Sequence, residues 1–141
     1  VHLAVLTLLG MSPLDMNGAK TLVMAKSAVF RDPLVHLLKK AGAFVDTEDH
    51  APSPVVLSRY AAIITALGQR EAFSGTDLAD EAVVIDISTN PSPSGKTVGD
   101  LPADTVKPTQ FVSPVPGGVG PLTIAFLLQN TVNAAEQSTH R

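Results

Sequence analysis

Pro114-Val115-Pro116-Gly117-Gly118-Val119-Gly120-Pro121 packs three glycines and three prolines into eight residues. Glycine admits backbone angles closed to other residues and lets a ligand approach the main chain, while proline fixes φ and withholds an N–H. The stretch is therefore a shaped loop. It follows a short apolar run, Phe111-Val112, and opens into Leu122-Thr123-Ile124-Ala125-Phe126-Leu127-Leu128. Two readings fit that position: a ligand loop at the carboxyl end of a strand, where α/β proteins collect their ligands, or a rigid turn that starts the last helix. A second candidate is Ala25-Lys26-Ser27-Ala28-Val29-Phe30-Arg31-Asp32-Pro33. A dinucleotide fold places a glycine-rich turn after its first strand, so that pyrophosphate reaches backbone N–H groups at a helix N-terminus. No glycine lies between Gly18 and Gly42. Either Lys26 and Arg31 contact phosphate by charge, or the turn no longer holds a dinucleotide tightly. Asp46 follows about 20 residues on, the spacing of an acid that bonds the adenosine ribose and disfavours a 2′-phosphate. Glu48 and Asp49 add negative charge there and read as a solvated acidic loop.

Other chemistry is sparse. The four histidines, His2, His36, His50 and His140, show no metal-ligand spacing, and His36 reads as a surface residue of a helix. Local motif offers no Ser/His/Asp set, and the absence of cysteine excludes disulfides and thiolate chemistry. A net charge of −3 gives a nucleic-acid or anionic-membrane partner no electrostatic support. No apolar run is long enough to span a bilayer and no basic segment precedes Val1, so the expected location is cytoplasmic.

The elements that must position these residues alternate. Val1 to Leu9 is apolar around most of a helical circumference, with Gly10 placed to close it. Thr21 to Ala25, Ala43 to Asp46, Ala62 to Ala66, Val83 to Ile87 and Phe111 to Ser113 are short apolar runs, as expected of strands buried on both faces of a parallel sheet. Between the first two, Asp32-Pro33 reads as N-cap and first residue of a helix carrying Leu34, Leu37, Leu38 and Ala41, ended by Gly42. Ser53-Pro54 starts another helix through Tyr60, and Thr76 to Ala79 holds one short turn. Ser88 to Gln110, rich in Pro, Ser, Gly and Asp, reads as an exposed loop. The final helix runs from Leu122 to about Gln137. Its apolar residues point two ways, with Leu122 and Phe126 on one side and Ile124, Leu128 and Ala135 opposite, so one sheet cannot cover them. At 141 residues the chain is read as one α/β domain, a Rossmann-type doubly wound parallel sheet with a terminal helix at each end.

The run Phe111 through Thr123, with Val83-Val84-Ile85-Asp86 and Gly99-Asp100, closely resembles the C-terminal half of the bifunctional methylenetetrahydrofolate dehydrogenase/cyclohydrolase family, whose strand ends in Pro-Val-Pro-Gly-Gly-Val-Gly-Pro. The resemblance implies an NAD(P)-binding domain that holds the cofactor for hydride transfer from methylenetetrahydrofolate. The alternative is a degenerate module that keeps the fold and the interface without binding a dinucleotide. It further implies that residues 1–10 belong to an inter-domain helix, and that the last helix packs on an N-terminal folate domain which this chain lacks. The two uncovered apolar helices then lead to self-association, as a homodimer or otherwise, when the chain stands alone.

By position, the family pattern implies cofactor contacts from Lys26, Ser27, Arg31 and Asp46, from Ala66 and Gly68 after the third strand, from Asn90 after the fourth, and from Thr123. Pro114, Val115, Pro116, Gly117 and Gly118 are the implied substrate-side wall. Ala25 and Arg31 stand where the family carries glycines, and Ser88 and Arg70 where it has Gly and Pro. The family norm is NADP, which Lys26 favours and the acids near Asp46 oppose, leaving NAD and NADP both open. The family's catalytic Tyr and Lys, four apart, have no match: the one tyrosine is Tyr60, with Ile64 four residues on. No catalytic residue is assigned.

Overall fold

A computed structural model describes residues 1–139. Helix α1 (His2–Met11) leads into strand β1 (Lys20–Ala25), helix α2 (Ala28–Lys40), β2 (Phe44–Glu48), a one-turn helix α3 (Pro54–Leu57) and β3 (Ala62–Ala66). Strand β4 (Val83–Asp86), a small antiparallel pair β5 (Asn90–Pro91) and β6 (Thr97–Val98), edge strand β7 (Phe111–Val112) and the 21-residue helix α4 (Val119–Thr139) complete it. Five strands form a parallel sheet in the order β2-β1-β3-β4-β7. The chain winds outward from β1 to β2 and then returns to the other side of β1, so the winding reverses between β1 and β3. The doubly wound expectation holds.

The apolar runs are continuous because both faces of the sheet are covered. Val23, Ala25, Ile64, Val83 and Ile85 meet α1, α2 and the start of α4, whereas Leu22, Met24, Ile63 and Val84 meet Leu57, Tyr60, Phe73, Leu78 and Leu101 on the other face. Alternation of side chains along each strand sorts them.

Several element boundaries differ from the sequence reading: β2 runs on to Glu48 rather than ending at Asp46, and the helix begun at Pro54 ends at Leu57 rather than Tyr60. Helix α2 starts at Ala28, with Ser27 as N-cap, and Pro33 lies inside it. Ser27 wins over Asp32 because its Oγ accepts from the Phe30 N–H at 3.4 Å and its carbonyl accepts from Arg31 N–H at 2.9 Å. Pro33 forgoes one bond, to the Val29 carbonyl. Gly10 lies within α1, which stops at Ser12, where the Oγ donates to the Leu9 carbonyl. Helix α4 begins three residues before Leu122, so Val119, Gly120 and Pro121 are its first turn rather than loop, a place where proline's missing N–H costs nothing.

Helix α1 is not the uncovered surface expected of it. Ala4, Val5, Leu8 and Leu9 are buried against β4 and α4, leaving Val1 and Leu3 outside. Burying each Val or Leu is worth about 1.5–3 kcal/mol, which is why the helix lies down on the sheet. Helix α4 does behave as its two-sided pattern indicates. Leu122 and Phe126 pack on the core, while Ile124, Leu127, Leu128 and Val132 are 51–65% exposed.

Candidate functional site

The reversal between β1 and β3 opens a crevice at their carboxyl ends, where Ala25 pairs with Ala66. Ligands of open α/β sheets bind at such a crevice. Lys26 and Ser27 form the whole turn from β1 into α2, and both are exposed. An α-helix leaves its first amides without intrahelical partners; here Phe30 N–H is capped by Ser27, and those of Ala28 and Val29 face the crevice end of a 13-residue helix. Backbone N–H donors with a lysine beside them match the chemistry of a pyrophosphate, so this turn fits a dinucleotide without the glycines. Arg31 is not part of the turn. It occupies the fourth position of α2, and its Nε donates to Asp32 at 3.0 Å.

Asp46 does not stand at the end of β2, where the sequence reading puts it. Strand β2 continues two residues past it, and Asp46 pairs with Leu22 in the middle of this edge strand, where its carboxylate accepts from Tyr60 Oη at 2.8 Å. Burial, followed by that bond to Asp46, pushes the Tyr60 hydroxyl up to about 12. The acids at the strand end are Glu48, opposite Met24, and Asp49. His50 Nδ1 lies 2.8 Å from Asp49 and 3.8 Å from Glu48. Potential ligating atoms of the three stand within 4.8 Å of one another, a grouping the histidine spacing did not disclose. The hydrogen bond with His50 holds the Asp49 carboxyl below its ordinary value, and the Lys26 ammonium acts in the same direction. The same bond raises His50. Lys26 and this acidic end of β2 thus face one another across the β1–β2 edge of the crevice.

The loops after β3 and β4 converge on Asp100, inside the segment expected to be exposed. Ser88, Asn90, Gly99, Asp100, Leu101 and Gln110 are all buried. Asp100 Oδ2 accepts from Thr65 Oγ1 at 2.6 Å, Ser88 Oγ at 2.7 Å and Leu67 N at 2.9 Å, and Oδ1 from Gln69 N at 2.8 Å and Asn90 Nδ2 at 3.2 Å. Burial would raise this carboxyl, but the hydrogen bonds outweigh it and hold it below its ordinary value. Gly68, at φ +67°, donates its N–H to Ser88 Oγ at 3.1 Å. Ala66, Gly68 and Asn90 are therefore placed by one buried carboxylate that the sequence reading did not assign to the site.

Beside it, Asp86 accepts from the N–H groups of Ser88 and Leu101, both at 3.0 Å. A side chain at Gly99 would collide with the Asp86 carboxylate. Asp86 and Ser113 floor a cavity of about 580 Å³ walled by Leu101, Val106 and Val112 and rimmed by Pro114 and Val115. The Val115–Pro116 peptide is cis, and Gly117 takes φ +109°. Gly118 is buried so tightly that a Cβ would meet the Pro114 carbonyl at 2.6 Å. The proline-glycine stretch is a folded loop that turns Pro114 and Val115 into this cavity. Thr123 stands in the second turn of α4, its Oγ1 donating to the Val119 carbonyl at 2.8 Å.

A family model for the tetrahydrofolate dehydrogenase/cyclohydrolase NAD(P)-binding domain matches residues 2–139. The chain is 39% identical over 137 residues to the bifunctional protein FolD of Leuconostoc citreum, covering 94% of this chain and 48% of that protein. It is 40% identical over 141 residues to bifunctional protein FolD 2 of Arabidopsis thaliana, covering 94% and 47%. Among solved structures, the FolD enzyme of Campylobacter jejuni superposes with a TM-score of 0.86 at 31% identity, over 97% of this chain and 50% of that one. The Trypanosoma brucei enzyme, complexed with NADP cofactor and inhibitor, superposes with a TM-score of 0.88 at 28% identity, over 99% and 51%. The chain spans about half the length of the relatives it matches. With its sheet order, its crevice and its Pro114–Pro121 loop, the chain belongs to the tetrahydrofolate dehydrogenase/cyclohydrolase family, as that family's NAD(P)-binding domain.

Proposed function

We propose that this chain is the cofactor-holding half of a methylenetetrahydrofolate dehydrogenase/methenyltetrahydrofolate cyclohydrolase. The observation that carries the reading is the β1–β3 crevice with a helix N-terminus on one side and the Asp100-ordered loops on the other. The α2 amides, Ser27 and Lys26 hold the pyrophosphate, and Ala66, Gly68, Asn90 and Thr123 line the nicotinamide side. The cofactor, when bound, supplies the hydride acceptor for the folate methylene carbon. This chain contributes orientation: Asp100 fixes the loop tips, and the tight Pro114–Gly118 loop presents a rigid wall to the substrate. Folate itself is held by the remainder of the protein. The exposed Ile124, Leu127, Leu128 and Val132 stripe of α4 is the contact with that remainder, since soluble proteins seldom leave such a patch bare.

Calorimetric titration of the chain with NAD and NADP tests the reading. Saturable binding of at least one is expected, with no NAD(P)H formed from methylenetetrahydrofolate by the chain unaided, because Tyr60 is engaged with Asp46 and no lysine stands four residues on. Binding of neither dinucleotide overturns it in favour of a module that has kept only the fold.

The bare stripe makes a separate expectation. In sedimentation equilibrium the chain alone self-associates, and Leu128→Glu shifts it toward monomer without altering its circular dichroism. A wild-type monomer whose α4 amides are strongly protected from hydrogen exchange would show that the domain covers this helix unaided.

A further inference from the structure

We infer that Glu48 and Asp49 make this chain prefer NAD to NADP, an assignment that rests on the dinucleotide reading above. The residue at the carboxyl end of the second strand meets the adenosine ribose, because that strand lies beside the turn that holds the pyrophosphate. In this chain the register pairs Met24 with Glu48, the last residue of β2, so Asp49 and His50 leave the strand end beside the turn that Lys26 begins after β1. Asp46, by contrast, is held in mid-strand by Tyr60. The ribose end of the crevice is therefore faced by Glu48, Asp49, His50 and Lys26.

Their charges decide between a 2′-hydroxyl and a 2′-phosphate. Two carboxylates against one ammonium leave this corner negative, and protonation of His50 brings it only to neutral. Arg31, the other basic residue of the turn region, is tied through Nε to Asp32. A phosphate monoester carrying a charge of about −1.5 to −2 at neutral pH finds no net positive partner here and meets repulsion. A ribose hydroxyl donates to a carboxylate, a charge-assisted bond with no such penalty.

The test titrates the chain with NAD and NADP by calorimetry at neutral pH, together with Glu48→Gln/Asp49→Asn. Asp49 is exposed, Glu48 is half-buried and neither belongs to the core, so the double variant keeps the fold. The expected result is NAD binding at least tenfold tighter than NADP. In the double variant that ratio falls at least fivefold, chiefly through gained NADP affinity. Raising salt from 0.1 to 1 M narrows the wild-type gap, since the screening length drops from about 10 to 3 Å. Equal or tighter binding of NADP, or a ratio unmoved in the variant, overturns the preference and leaves the dinucleotide reading standing. Binding of neither cofactor overturns both.

Discussion

Asp100→Ala is expected to destabilise the fold by about 4 kcal/mol or more, a large share of the roughly 5–15 kcal/mol that holds a domain folded. Five donors from two stretches of chain end on this one carboxylate: the β3 side chain Thr65 with the amides of Leu67 and Gln69, and the hydroxyl of Ser88 with the side-chain amide of Asn90. Truncation strands all five, and each buried donor left unpaired costs about 1–3 kcal/mol. Asp100→Asn separates charge from shape. Its carbonyl oxygen can keep the three bonds at the Oδ2 position, while its amide would face the Gln69 N–H, a donor against a donor. Asn90 can turn its own amide to accept, so the variant loses about one bond, or 1–3 kcal/mol. Urea denaturation followed by circular dichroism measures both. An Asp100→Ala unfolding free energy within about 1 kcal/mol of wild type would show that the loops after β3 and β4 hold their shape without it, and the account of how Gly68 and Asn90 are positioned would fall with it.

That carboxylate marks the limit of what the sequence discloses. The strands are legible because burial on both faces writes an unbroken apolar run, as in Leu22 to Ala25 or Val83 to Ile85. Asp100 writes nothing comparable, since its donors lie up to 35 residues away and meet only when the sheet brings three loops to one edge. A Pro-, Ser- and Gly-rich stretch resembles any solvated loop until those partners are known. The start of α2 is hidden for a different reason. Both Ser27 and Asp32 are good caps, and the proline after Asp32 strengthens the wrong one; the burial of Leu34 and Leu38 fits either start. The end of β2 is hidden as well: the sequence reading places it at Asp46, the structure at Glu48. Alternation along a short edge strand cannot say which of Asp46 and Glu48 is last, and only the pairing with Leu22 and the bond from Tyr60 show that Asp46 lies in mid-strand.

Stability should peak in mildly acidic solution and fall as the pH rises through about 6, because the two neighbouring buried carboxylates titrate in opposite senses. Burial raises Asp86 to about 6; the amides of Leu101 and Ser88 offset part of this, and the Asp100 charge adds to it. A carboxyl raised in the folded state contributes stability that is complete below its unfolded value of 3.8 and is lost as pH rises through the folded one. Asp100, lowered in the fold, contributes stability that is complete above 3.8 and is lost as pH falls through its folded value. Between those limits the pair carries a single negative charge, on Asp100. Above them it carries two, one of which stands at the floor of the cavity beside Ser113 and Pro114. The Asp86 contribution alone amounts to about 2 kcal/mol between about pH 4.5 and 7.5. Urea midpoints at those two pH values should differ accordingly in the wild type. Asp86→Asn, which removes the titration, should start lower at about pH 4.5, having lost one acceptor, and then decline less with pH by that same amount. A variant whose stability falls as steeply as the wild type over this range would place the proton elsewhere, and Asp86 would be an ordinary ionised carboxylate of the cavity floor.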